Sequence, residues 1–263
     1  MTRFEGEIIV NREISPAWNL LGFAWPPGKA PPLPGQFFTF LPRGVEYGES
    51  ALLRRPLAFA WHDGSRAYSI FQAKGPGTKS LARRRVGESI DVIAPLGNSF
   101  PDPDSGERSV LAGGGIGIGP MLFLAARLKE AGRDFTLHLG FRTKSQVPEI
   151  GLDALDREVS RAKLATDDGS LGFQGTVIQA VARDKDESCA DAHLFACGPK
   201  PMLAAAAALA DEWNAQAHVS VEQWMACGVG ACNGCVVPAA DGGYLRACAD
   251  GPVFSSRDLS WEQ

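Results

Sequence analysis

The sequence predicts a β-rich barrel or sandwich, then an α/β unit on a parallel sheet, then a small cysteine-bearing appendage. Three observations predict this. Short alternating apolar stretches, parted by Pro and Gly, fill residues 1 to about 100; closely spaced short strands with turn residues between them make barrels and sandwiches. From about 107, strand-like and helix-like stretches alternate, which implies a parallel sheet with helices on its faces. From about 217, apolar periodicity fades and cysteines gather. The expected domains are 1–102, 103–216 and 217–263.

In the first zone the expected strands are "FEGEIIVNREI", "GQFFTFL", "LAFAWH", "AYSIFQA" and "ESIDVIAPL", with clusters such as "PPGKAPPLPG" between them. In the second, "RSVLAGGG" is a short apolar strand running into glycines. "PMLFLAARLKEAG" is an amphipathic helix closed by Gly132. "DFTLHLGFR", "AKLATDDG" and "AHLFACGP" are further strands. "TVIQAVARD" and the Ala-rich "KPMLAAAAALADEWNAQ" are helices. The third zone has too little apolar periodicity for a core of its own and is expected to fold around a ligand.

Composition places the chain among globular proteins, at 45% hydrophobic and 21% charged with mean hydropathy near zero. A net charge of −4 gives no electrostatic reason to expect nucleic acid or an anionic membrane. No apolar run approaches the roughly 18 residues of a membrane span. The opening "MTRFEGEIIV" puts an acidic residue where a signal peptide builds its apolar stretch. A cytoplasmic location is the expectation.

Four of the six cysteines fall at 227, 232, 235 and 248, a C-x4-C-x2-C-x12-C spacing. Buried structural thiols would want an apolar periodic context, but "MACGVGACNGC" is glycine-rich. Disulfides are out of place in a reducing compartment. Structural zinc prefers paired C-x2-C, or cysteines mixed with histidines. The start of the spacing matches the plant-type [2Fe–2S] signature. Gly228, Gly230 and Gly234 let the loop turn and aim N–H groups at sulfur. Cys227, Cys232, Cys235 and Cys248 are therefore read as ligands of a [2Fe–2S] cluster, although the last cysteine arrives sooner than in plant-type ferredoxins. The four scattered histidines suggest no metal constellation.

"LAGGGIGIGPML" carries Gly113, Gly114, Gly115, Gly117, Gly119 and Pro120 between a strand and a helix. Glycines there let a pyrophosphate approach the backbone and the positive end of the helix. Proline in the first turn sacrifices no hydrogen bond. A glycine turn without a ligand is the competing reading. "FACGPKPM" ends a later strand with Cys197, Gly198 and Pro199; alone, Cys197 is a buried thiol. Asp167 and Asp168 follow a strand and would repel a 2′-phosphate, favouring NAD over NADP, unless they are a solvated turn.

Taken in this order, these motifs resemble the ferredoxin–NADP reductase superfamily. The resemblance implies a β-barrel flavin domain, an α/β nucleotide-binding domain and, here, a C-terminal iron–sulfur subdomain. Arg55-Pro56-Leu57-Ala58 resembles the R-P-x-S flavin segment, and "PGQFFTF" the strand that precedes it. Gly77-Thr78, followed by Lys79, resembles the pyrophosphate turn. Ile70, Phe71 and Gln72 fall on the same flavin edge. Ala58 stands where Ser or Thr is usual, and Gln72 where Arg is common; both departures remove a polar anchor. With the cysteine motif added, the chain resembles the electron-transfer subunits of dihydroorotate dehydrogenase B along nearly its whole length.

That resemblance implies FAD, one [2Fe–2S] cluster and NAD(H), with Cys197 near the nicotinamide. It also implies an FMN-containing catalytic subunit as partner, in a heterotetramer serving pyrimidine biosynthesis. Met225, Val229 and Asn233, between the cluster ligands, are expected at the contact surface. Two alternatives stay open. Similar subunits serve sulfite reductase, sulfhydrogenase and ferredoxin-linked transhydrogenase complexes, and a flavin and cluster can form a redox sensor without turnover.

Overall fold

The computed structural model describes residues 1–16, 18–43, 52–103, 108–184 and 192–261. The first zone forms β1 (Thr2–Ser15), β2 (Trp18–Ala24), β3 (Phe37–Phe40), β4 (Arg55–Ala58), β5 (Trp61–His62), β6 (Arg66–Gln72) and β7 (Ser89–Leu96). A short helix, α1 (Pro76–Ala82), lies between β6 and β7. The strands pair antiparallel in the order β4-β3-β7-β1-β2-β6-β5. β1 is long enough to serve both halves, pairing with β7 through Thr2 to Glu7 and with β2 from Ile8 onward. The sheet curls around Phe23, Phe38, Phe40, Phe59 and Phe71, all fully buried. Burying an aromatic ring of this size contributes about 2–3 kcal/mol.

β2 was not among the expected strands, and its burial explains why. It is buried from Trp18 to Phe23, so it shows no apolar/polar alternation. Leu21 and Phe23 fill the barrel, while Trp18 and Leu20 join the core beneath the second sheet.

That second sheet contains β8 (Ser109–Gly114), β9 (Phe135–Phe141), β10 (Lys163–Thr166), β11 (Phe173–Gln174), β12 (His193–Cys197) and β13 (Gln216–Ser220). Its helices are α2 (Ile118–Glu130), α3 (Asp153–Arg161), α4 (Val177–Arg183) and α5 (Lys200–Trp213). These six strands run parallel. Thr176 starts α4, its hydroxyl accepting from Gln179 N while its own N–H donates to the Gln179 side chain, a reciprocal cap. α5 stops short of the expected Gln216. Asn214 takes a left-handed conformation (φ 52°), which ends the helix and releases Gln216 into β13.

Beyond β13 lie the hairpin β14 (Val236–Pro238) and β15 (Tyr244–Arg246), then β16 (Val253–Ser255). β16 adds antiparallel to β13, so the sheet order is β11-β10-β9-β8-β12-β13-β16. The cysteine lobe also packs on the barrel: Cys235, Ala247 and Cys248 share a small core with Phe37 of β3 and Leu96 of β7. α2 links the two large sheets, burying Met121 and Leu122 against Leu20 and Ile70. Among the described residues, no helix is long and apolar enough to cross a membrane.

Candidate functional site

In the parallel sheet, β8 leads outward to β9, β10 and β11, whereas β12 and β13 lie on its other side. The order therefore reverses between β8 and β12. A crevice opens at the carboxyl ends of strands around such a point, and ligands bind there. Both expected motifs meet at this place. Gly113 of β8 is directly opposite Cys197 of β12, and Cys197 is opposite Ser220 of β13.

The glycines between β8 and α2 serve different ends. Gly115 has φ +58°, where a side chain is strained. A Cβ on Gly117 would overlap the Cys197 carbonyl, which fixes how closely the α2 turn approaches β12. A Cβ on Gly113 would come 3.1 Å from Ile118 Cα, and one on Gly119 3.2 Å from Ala60 Cβ. These two glycines serve packing of α2 on the sheet and on the barrel. Pro120 lies within the first turn of α2.

Two cavities adjoin at this crevice. The wider, about 390 Å³, is lined by Gly114, Gly115, Asp167, Pro199 and Gln72, with Lys74 and Thr176 at its edges. The inner one, about 180 Å³, is bounded by Pro56, Leu57 and Ala58 of β4 and Ile70 of β6. Gly117, Pro120 and Cys197 close it on the α/β side, and Met225 on the cysteine side. Ile116 and Glu222 line both. The structure thus brings together most of the expected flavin and nucleotide residues.

Other expected residues stand apart. Phe71 points into the barrel core. Gly198 lies behind the crevice wall, where a Cβ would meet Met202 Sδ at 2.6 Å. Asp168 is occupied by its own turn, accepting from Ser170 N at 3.0 Å and Ser170 Oγ at 2.6 Å; those bonds hold its pKa down. Of the two aspartates, Asp167 lines the cleft.

On the barrel, β4 pairs with β3 so that Ala58 faces Phe37 and Arg55 faces Phe40. Arg55 reaches the first turn of α1, where a Cβ on Gly77 would lie 3.1 Å from Arg55 Nε. A guanidinium beside a glycine turn suits a pyrophosphate. Thr78 organises that turn: its hydroxyl accepts from Lys74 N (3.1 Å) and Gly75 N (3.2 Å). The neighbouring Arg54 does different work. It bonds Thr39 Oγ1 at 3.0 Å and Asp91 Oδ1 at 2.8 Å. Asp91, 1% exposed, also accepts from Arg3. The Arg3 hydrogen bond first, then Arg54, outweigh burial and hold the Asp91 carboxyl at about 2.

Cys227 neighbours Cys232, and Cys235 neighbours Cys248. Backbone N–H groups converge on them: Val229 N on Cys227 Sγ (3.4 Å), Gly230 N on Cys248 Sγ (3.1 Å) and Gly234 N on Cys232 Sγ (3.4 Å). Burial opposes ionisation of Cys227, but N–H donors and Cys232 bring its thiol down to about 6. Burial, then Cys235, pushes Cys248 up to about 12. Two thiol pairs ringed by N–H donors fit a [2Fe–2S] cluster, whose two irons each take two protein sulfurs.

Sequence reasoning missed Lys74, Glu222 and Arg246. Glu222 stands exposed at the cleft mouth; the protein around its carboxylate raises its pKa and Lys74 partly restores it. Burial likewise pushes the Cys197 thiol up to about 12, with Glu222 adding to the rise, so Cys197 is a neutral thiol at ordinary pH. No local pattern marks Glu222 or Lys74, because the fold alone brings them to one cleft. The expected contact residues also divide. Val229 is 41% exposed, and Asn233 is exposed with φ 54°. Met225 instead turns inward to the cavity and to the lobe's small core. Its neighbour Trp224 faces outward instead, 89% exposed.

Comparison with known proteins agrees with this geometry. Residues 222–260 match the iron–sulfur cluster binding domain of dihydroorotate dehydrogenase B. The chain is 39% identical to the dihydroorotate dehydrogenase B (NAD(+)) electron transfer subunit of Bacillus caldolyticus, over 86% of each chain. It is 34% identical to the Desulforamulus reducens subunit of that name, over 98% of each. Among solved structures, the NADH-dependent reduced ferredoxin-NADP oxidoreductase superposes with a TM-score of 0.82 at 27% identity, covering 97% of this chain and 90% of that one. Phthalate dioxygenase reductase shares the fold, with a TM-score of 0.63 at 18% identity over 90% of this chain and 86% of that one.

Proposed function

The chain belongs to the family of dihydroorotate dehydrogenase B electron transfer subunits, and on that premise we propose how its residues perform electron transfer. It carries electrons between NAD(H) and an FMN-holding catalytic subunit that oxidises dihydroorotate, as a step of pyrimidine biosynthesis in the cytoplasm. Its cofactors are FAD and one [2Fe–2S] cluster. Bound FAD supplies the conversion between hydride exchange at nicotinamide and single-electron exchange at an iron–sulfur cluster.

Each domain holds one group. Residues 1–102 take FAD, with Pro56, Leu57, Ala58 and Ile70 along the inner cavity and Arg55 with Gly77 at the pyrophosphate. The Phe71 backbone and Gln72 continue that edge. Residues 103–216 take NAD(H), with Gly114, Gly115 and Pro199 at its phosphates and Asp167 placed to repel a 2′-phosphate. Residues 217–263 take the cluster through Cys227, Cys232, Cys235 and Cys248. Cys197, a neutral thiol on the wall of the inner cavity, packs where nicotinamide must meet the flavin edge and excludes water from the transfer.

The observation that carries this reading is the inner cavity itself. Ala58 of the barrel, Gly117 and Cys197 of the α/β unit and Met225 of the cysteine lobe share its wall. Groups held by the three parts would therefore meet within electron-transfer reach. The test is co-expression with an FMN-containing dihydroorotate-oxidising subunit. Co-purification and dihydroorotate-dependent reduction of NAD+ are expected. Failure to associate, with no such activity, contradicts the proposal.

A further inference from the structure

Arg246 makes more contacts across the cysteine lobe than any catalytic or ligand role asks of it. Its Nε and Nη2 grip Asp250 at 3.1 and 2.9 Å, a two-bond fork. Its Nη1 donates to the Gly230 carbonyl at 3.1 Å. Its backbone N–H bonds Asp250 Oδ2 at 2.8 Å, and its carbonyl accepts from Ala249, Asp250 and Gly251. Arg246 thereby closes the turn that carries Cys248 and ties it to the loop that carries Cys227 and Cys232.

Gly230 is held from both ends by this arrangement. Its carbonyl takes the Arg246 hydrogen bond, while its N–H points at Cys248 Sγ, 3.1 Å away. Gly230 has φ +81°, and a Cβ there would lie 2.9 Å from Ala249 Cβ. The glycine can adopt this pose, and Arg246 keeps it there.

We propose that Arg246 is a positioning residue that aims the Gly230 N–H at the Cys248 sulfur and sets the cluster's reduction potential through its charge. This deepens the assignment of the four cysteines as cluster ligands and rests on it. Reduction adds one negative charge to a thiolate-ligated cluster, and N–H donors and nearby cations favour the form that carries it. Asp250 partly offsets the guanidinium, so the two side chains act in opposite directions. Removing Arg246 leaves the Asp250 charge uncompensated, whereas neutralising Asp250 leaves the guanidinium uncompensated.

The test is an anaerobic redox titration, followed by EPR and visible circular dichroism, of the purified chain loaded with FAD and iron. Arg246→Gln is expected to move the cluster midpoint negative, Arg246→Lys to recover part of the change, and Asp250→Asn to move it positive. The flavin midpoint, read in the same titration, stays at its wild-type value. Cluster midpoints that do not move, or that move in the same direction in Arg246→Gln and Asp250→Asn, overturn the proposal. Should Arg246→Gln fail to retain iron, the sign of the Asp250→Asn shift decides alone. Iron and sulfide content of the unaltered chain is measured first. A chain without a [2Fe–2S] cluster overturns the ligand assignment and this proposal together, whereas a normal cluster with unmoved midpoints overturns this proposal only.

Discussion

The α2 turn meets β12 so closely that Gly117 has no room for a side chain beside the Cys197 carbonyl. Two motifs about eighty residues apart in the chain thus share one wall of the crevice. Gly117→Ala must push the turn away from β12. Overpacking of this kind costs roughly 1–3 kcal/mol. A lower melting temperature and a raised KM for NADH are expected, with Gly119→Ala milder because its nearest neighbour is a side-chain methyl at 3.2 Å. Thermal melts and steady-state kinetics on both variants check this.

Asp167 and Asp168 make separable predictions. Asp167 lines the wide cleft, while Asp168 is engaged by Ser170. Asp167→Ser should shift the preference between NADP(H) and NAD(H) toward the phosphate by about tenfold or more, since like-charge juxtaposition costs upward of about 1.4 kcal/mol. Asp168→Ser should leave the ratio of dissociation constants near that of the unaltered chain. Titration of both nucleotides against each variant distinguishes the two aspartates.

On the proposed reading the four thiols form a single ligand set, so each is required. Replacing Cys227, Cys232, Cys235 or Cys248 with Ser should reduce iron from about two atoms per chain to a small remainder. FAD content, set by the barrel, should be retained. Iron analysis and flavin absorbance on the same samples report both. Iron retained in full after the Cys248 substitution would remove that residue from the set.

Acid should loosen the barrel through Asp91. The Asp91 carboxyl is held at about 2 in the folded chain, below its ordinary 3.8. A depressed carboxylate stabilises the fold above its unfolded pKa, and that contribution fades as pH falls through the window from about 4 to 2. Asp91→Asn should flatten this acid limb. At neutral pH it should cost roughly 3 kcal/mol, because Arg54 is left in the interior without its partner. Urea melts across pH measure both effects.

Local motifs were legible in the sequence, and tertiary arrangements were not. The cysteine spacing, the glycine run and Cys197-Gly198-Pro199 each declare themselves within a dozen residues, and the strands and helices around them follow ordinary periodicity. β2 escaped notice because burial on both faces removes its alternation. α3 escaped because its buried face includes a charge: Glu158 is 2% exposed and is paired with Lys129 at 2.7 Å. β16 is three residues long and is a strand only because β13 offers it an edge. Glu222, Lys74 and Arg246 acquire their positions from contacts that no local pattern encodes. Met225 was expected at the surface because it neighbours a ligand in sequence, but the turn into the cysteine loop sends it inward and leaves Trp224 outside.

The central claim is that this chain links hydride exchange at one end to single-electron exchange at the other. The most direct test is an anaerobic titration of the FAD- and iron-loaded chain with NADH, followed by visible absorbance and low-temperature EPR. The account predicts that flavin absorbance bleaches and that the signal of a reduced [2Fe–2S] cluster then grows in. Bleaching of the flavin with the cluster left fully oxidised, at a midpoint that NADH can reach, would contradict it.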